Sequence, residues 1–94
     1  FPAVRRDLSF IVDEAPTVRE ILDRVRASAG GLLTDVVLFD VYRGAGIPKD
    51  HKSLSIGLNL QDISRTLTDA ETDAVVARVI ADLEGEYNAT IRDK

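Results

Sequence analysis

His51 is the only histidine in the chain, and there is no cysteine. The residue types that most often carry nucleophilic or metal chemistry are therefore nearly absent. One imidazole cannot build the usual multi-histidine metal site. The lack of cysteine excludes disulfides and thiolate ligands, and it fits a reducing cytoplasmic setting. Ser9, Ser53 and Ser55 lie in alternating, strand-like stretches, and no motif matches them to His51, so no nucleophile–base pair is evident. Gly44-Ala45-Gly46 has neither the further glycine nor the following helix of a phosphate loop, and it reads as a turn. Asp69 and Glu71 stand where a helix should begin, where carboxylates favour the positive end of its dipole. What remains is recognition chemistry. Asp40 and Tyr42 are two residues apart, and Arg43, Lys49, His51 and Lys52 cluster in the adjoining loop, where they can meet phosphates as positioning contacts.

These groups need elements to hold them. Arg6 to Asp13 alternates, with Leu8, Phe10 and Val12 on one side, which is the period of a half-buried strand. Thr17 and Glu20 have the spacing of a capping box, and Val18, Ile21, Leu22 and Val25 continue as one helical stripe that should stop at Gly30-Gly31. Leu33 to Tyr42 is rich in β-branched, aromatic and leucine residues, and Arg43 to Pro48 closes it, so it reads as a second strand followed by a loop. In the third strand Leu54, Ile56, Leu58 and Leu60 alternate with Ser53, Ser55, Gly57 and Asn59. Thr68 and Glu71 repeat the capping spacing, Val76, Val79, Ile80 and Leu83 repeat the stripe, and a second helix is expected from about Asp69 to Glu84. Tyr87 to Arg92 completes the order as a short last strand. Two aromatics, Phe10 and Phe39, are assigned to the core, and Arg65 to tying down the loop before the second helix.

Strand, helix, strand, strand, helix, strand is the ferredoxin-like α+β sandwich, βαββαβ, with two helices on one face of a four-stranded antiparallel sheet. The other sheet face is left open. At 94 residues, 45% of them hydrophobic, the chain supports one domain spanning residues 1–94. It starts without Met and reads as a fragment of a larger chain. No apolar run approaches the roughly 18 residues of a membrane span, so no membrane partner is expected. The net charge of −4 argues at first against a polyanionic partner. Its distribution matters more. Asp69, Glu71, Asp73, Asp82, Glu84 and Glu86 against Arg78 put −5 on the second helical stretch and leave +1 on the remainder.

Four stretches stand out together: Phe1 to Phe10 (FPAVRRDLSF), Leu38 to Gly44 (LFDVYRG), Lys52-Ser53-Leu54, and Arg65 to Glu71 (RTLTDAE). In order and spacing they resemble the ferredoxin-fold anticodon-binding family, and the likeness covers essentially the whole chain. In that family the domain ends the beta subunit of phenylalanyl-tRNA synthetase and holds the anticodon stem-loop. A separate alpha subunit carries the aminoacylation site. The resemblance therefore implies a non-catalytic domain. Its partners would be the anticodon stem-loop of tRNA(Phe), the rest of the beta subunit and the alpha subunit. The domain would need no cofactor, whereas the parent enzyme would use ATP and Mg. Carried over by motif, Asp40, Tyr42 and Ser53 would contact guanine, the first anticodon base.

The chemistry of those positions agrees. Unstacked RNA bases are read by aromatic stacking and by hydrogen bonds to their edges. Residues two apart on a strand share a face, so Asp40 and Tyr42 point the same way. An ionised carboxylate accepts from the adjacent N1–H and N2 amino donors of guanine, a pair that adenine lacks. Without the resemblance, Asp40 reads first as a partner for Arg43, Arg6 or strand-edge backbone groups, and Tyr42 as a packing residue with its hydroxyl in water. Rival functions on this topology fit less well. An acylphosphatase-like enzyme needs an Arg-bearing phosphate loop after the first strand, where this chain has Asp13-Glu14-Ala15-Pro16. An RNA-recognition motif needs aromatics where Ser55 and Gly57 stand. An ACT-like regulatory or dimerisation module remains the alternative.

Overall fold

In the computed structural model, which describes residues 1–92, the chain forms β1 (Val4–Asp13), α1 (Val18–Ala29), β2 (Leu33–Tyr42), β3 (His51–Leu60), α2 (Asp69–Tyr87) and β4 (Thr90–Arg92). A short 3₁₀ turn, Gly30–Leu32, links α1 to β2. The four strands make one antiparallel sheet in the order β2-β3-β1-β4. This is the ferredoxin-like arrangement expected from the alternation of strand and helix periods.

The alternation decides which side of the sheet meets the helices. Leu8, Phe10 and Val12 of β1 and Leu54, Ile56, Leu58 and Leu60 of β3 are buried on one side. They pack with Ile21, Val25 and Ala29 of α1 and with Val75, Val79 and Leu83 of α2. Fully burying such a side chain contributes about 1.5–3 kcal/mol, so these few rows account for most of the drive to stack the two layers. The deepest line of α2 is Thr72, Val75, Val79 and Leu83. Val76 and Ile80 are only partly buried beside it.

Both helices start at threonine caps, where the Thr side chain accepts from the N–H three residues on. Only α2 has the reciprocal half of the capping box, the Thr68 N–H donating to the Glu71 carboxylate at 3.0 Å. In α1 the Glu20 carboxylate takes the Thr17 hydroxyl instead. Arg65 also grips Glu71 and pairs with Asp62, fastening the loop as expected. α2 runs three residues past Glu84. Gly85 does not stop it, and Asn88 ends it in a left-handed conformation, φ 55°. β4 shortens accordingly to Thr90–Arg92.

Two expectations need correction. β3 begins at His51, so His51 and Lys52 belong to the strand, and Lys52 pairs with Val12 on the helix side. Phe39 is not core. The β2–β3 register shifts between Leu38, opposite Ile56, and Asp40, opposite Ser55, which leaves Phe39 as the extra residue of a β-bulge. Counted back from Asp40 and Val41, a regular strand would send Phe39 inward, and counted on from Leu38 it would send it outward; the bulge resolves the mismatch and leaves Phe39 52% exposed.

Candidate nucleic-acid interface

The antiparallel registers arrange the helix-free side of the sheet in rungs about 7 Å apart along the strands. One rung is Asp7, Gly57 and Val37. The next is Arg92, Ser9, Ser55 and Asp40, and the third is Thr90, Ile11, Ser53 and Tyr42. Asp40, Tyr42 and Ser53 therefore meet on one open face, two of them from the edge strand and the third from its neighbour.

Their environments differ. Asp40 is exposed, and among the described residues it has no hydrogen-bond or ion-pair partner, neither Arg43 nor Arg6 being bonded to it. Its acceptor positions face solvent. Tyr42 is 41% exposed, and its hydroxyl donates to the Ala45 carbonyl at 3.1 Å, which holds the ring at the end of the strand. Gly44 lies beside that ring with φ 127°, a backbone conformation that favours glycine, while a Cβ there would sit in ordinary contact 3.5 Å from the Tyr42 hydroxyl. Ser53 is buried, but its Oγ accepts from the Arg92 guanidinium at 3.0 Å. Ser9 and Ser55 hydrogen-bond each other through their hydroxyls at 2.9 Å. The face thus combines an exposed carboxylate, an anchored aromatic ring, hydroxyls and a guanidinium.

The basic residues do not act as one cluster. Arg43 forms a two-pronged ion pair with Glu14, with Nη2 2.9 Å from Oε2. That pairing, with Lys52 alongside, holds the Glu14 carboxyl down at about 2. Lys52 is 3% exposed. Its ammonium donates to the carbonyls of Glu14 and Pro16 at 3.1 and 2.6 Å and lies 3.3 Å from the Glu14 carboxylate. It is a strut between β3 and the β1–α1 loop, shut away from any phosphate. His51 Nδ1 lies 2.8 Å from the Lys49 carbonyl. Lys49 is exposed at the loop.

Arg92 and Arg5 were not singled out from sequence. Both emerge only from the pairing of strands distant in the chain. No group of His, Cys, Asp or Glu among the described residues is arranged to hold a metal ion. An open depression lined by Asp13, Ala15, Pro16, Gly85, Glu86, Tyr87 and Asn88 lies at the end of α2, away from the rungs. Asp13 and Glu86 make it unfavourable for anions.

The model of the ferredoxin-fold anticodon binding domain matches residues 1–92. The chain is similar over nearly its whole length to proteins named phenylalanine–tRNA ligase beta subunit. The one from Xanthomonas campestris pv. campestris (strain 8004) is 51% identical over 92 residues, covering 98% of this chain. Those from Mannheimia succiniciproducens and Methylococcus capsulatus are 46% and 44% identical over 93 residues, covering 99%. The chain spans only 12% of the length of each of these relatives. With its matching sheet, helices and open face, this chain belongs to the family of ferredoxin-fold anticodon-binding domains.

Proposed function

We propose that the open face holds the anticodon stem-loop of tRNA(Phe) as a non-catalytic part of a cytoplasmic phenylalanine–tRNA ligase. The observation that carries this is the rung geometry, in which Asp40 and Tyr42 of β2 stand beside Ser53 and Ser55 of β3 with the Asp40 carboxylate unpaired among the described residues. Guanine fits that set. Asp40 accepts from N1–H and the N2 amino group, and Tyr42 provides a stacking surface. Ser53 is buried and its Oγ is engaged by the Arg92 guanidinium, so its hydroxyl reaches the guanine O6 only when that guanidinium moves aside. Adenine would present its N1 acceptor to the Asp40 carboxylate, a repulsive contact.

The domain contributes binding and specificity, and needs no cofactor. Charging with phenylalanine, using ATP and Mg, takes place on the alpha subunit of the parent enzyme. Lys49 at the loop supplies a phosphate contact, with Arg43 available only when it releases Glu14. The test is aminoacylation by the intact ligase of tRNA carrying guanine or adenine at the first anticodon position. Wild type favours guanine in kcat/KM, and Asp40→Ala removes that preference with little change in stability. An Asp40→Ala enzyme that folds and still prefers guanine rejects the reading.

A further inference from the structure

The bulge in β2 creates a feature of the open face that guanine reading leaves unused. Val37, Phe39 and Tyr42 are all exposed along one edge strand. The Arg5 guanidinium lies over the Phe39 ring, 5.5 Å from its centroid. Arg5 is held by its Nε donating to Asp7 Oδ1 at 2.8 Å. It can lie there because residue 57 is glycine. A Cβ at Gly57 would stand 2.6 Å from Arg5 Nη2 and 2.7 Å from Nε, and Gly57 has no positive φ, so clearance is its role here.

We propose that Phe39, backed by Arg5, is a second nucleobase platform. It takes the single-stranded base next to the one held at Asp40 and Tyr42, and this inference rests on the anticodon reading above. Phe39 lies between the Gly57 rung and the Asp40 rung, immediately beside the proposed guanine site. An aromatic ring with a guanidinium stacked on it is a surface suited to a flat π-system. The surroundings favour a base over a phosphate or an apolar protein surface. Among the described residues the face sets the carboxylates of Asp7, Asp35 and Asp40 beside the guanidinium groups of Arg5 and Arg92, a mixture with no positive excess for phosphate, which favours a base turned inward. The apolar patch is also small and ringed by Asp7, Arg5, Asp40 and Ser55. That matches a base, which is apolar on its faces and polar on its edges.

The experiment measures binding of the intact ligase to tRNA(Phe) and to versions abasic at the nucleotide before or after the first anticodon guanine. Phe39→Ala weakens binding of the natural tRNA roughly 5- to 150-fold, the span of single aromatic–base stacks. The loss disappears with one abasic tRNA, and Phe39→Trp restores affinity. Gly57→Ala, which displaces Arg5, gives a smaller loss with the same dependence on that nucleotide. An equal loss on all three RNAs, or no loss, overturns the platform. So does a Phe39→Ala enzyme with normal tRNA affinity but impaired subunit assembly, which would assign the patch to a protein contact. Asp40→Ala run in parallel separates the two readings. If it abolishes guanine preference while Phe39→Ala is silent, only the platform fails; if both are silent, the anticodon reading fails with it.

Discussion

At the residue scale, single groups have separate jobs although they crowd one end of the sheet. Asp40 has no partner among the described residues, so its substitution changes recognition more than stability. Asp40→Asn keeps the shape but presents one donor and one acceptor, a pattern that matches the adenine edge as well as the guanine edge. Discrimination between the two bases is expected to collapse by roughly 10-fold or more, since hydrogen bonds to a charged group contribute about 1.5–3 kcal/mol. Competition binding with guanine- and adenine-bearing tRNAs measures it. Lys52 is the opposite case. Lys52→Met leaves two carbonyls and the Glu14 carboxylate without their buried donor. A loss of about 2–4 kcal/mol in denaturant unfolding of the domain is expected.

Glu14 adds a pH dependence at the same scale. Its carboxyl is held at about 2, first by the hydrogen bond from Arg43, against an ordinary 4.5. A depressed acid adds stability that is complete above its ordinary value and disappears as pH falls through the folded one. Glu71, gripped by Arg65 and the Thr68 N–H, behaves alike and is also held at about 2. Between about pH 4.5 and 2 the wild-type domain should therefore lose melting temperature more steeply than Glu14→Gln. Parallel slopes would show that the pairing does not contribute.

At the element scale, the bulge and the caps separate local from paired structure. Around Phe39 the register is regular on either side and offset by one residue. Deleting Phe39 should restore an unbroken ladder, with Asp40 still opposite Ser55, and cross-strand NMR contacts between those two residues check this. The caps predict an asymmetry. Thr68→Ala removes the hydroxyl half of a complete box, leaving only the backbone N–H to hold Glu71, and is expected to cost about 1–2 kcal/mol, whereas Thr17→Ala removes a cap that has no reciprocal half and costs at most about 1 kcal/mol, read from urea midpoints. The capping spacing was visible in sequence in both cases, but which box closes was not. That depends on where the Glu20 and Glu71 side chains turn, and Arg65 helps to set the second.

At the scale of the whole molecule, the two layers divide charge and task. α2 carries the acidic excess and is tied to α1 by Arg24, which grips Asp82 with two hydrogen bonds of 2.7 and 3.0 Å and also approaches Glu86. Asp82 is accordingly held below the usual carboxylate range by Arg24. The sheet stands between this acidic helix and the open face, whose own described charges nearly balance. Lys49→Ala should therefore weaken guanine- and adenine-bearing tRNAs by the same factor and make binding less salt-dependent, as a phosphate contact does. A change in base preference would instead place Lys49 among the readers.

The sequence by itself determined the order of elements, the two capping sites, the buried rows of β1 and β3 and the open face. Each follows from short-range periodicity: two residues for strands, three to four for helices. Parity along a strand put Asp40 and Tyr42 on one face, whereas Ser53 was joined to them by the family resemblance and meets them through the β2–β3 register. Only the tertiary structure decided the rest. A bulge is a mismatch between two strands, so no pattern within Leu33 to Tyr42 marks Phe39 as the residue turned outward. Arg92 meets Ser53, and Arg5 passes over Gly57, because β1 lies between β3 and β4 in space while β3 and β4 are 29 residues apart in the chain. Lys52 looked like a loop cation, yet strand pairing carried it inward, where only backbone carbonyls and Glu14 could satisfy its charge.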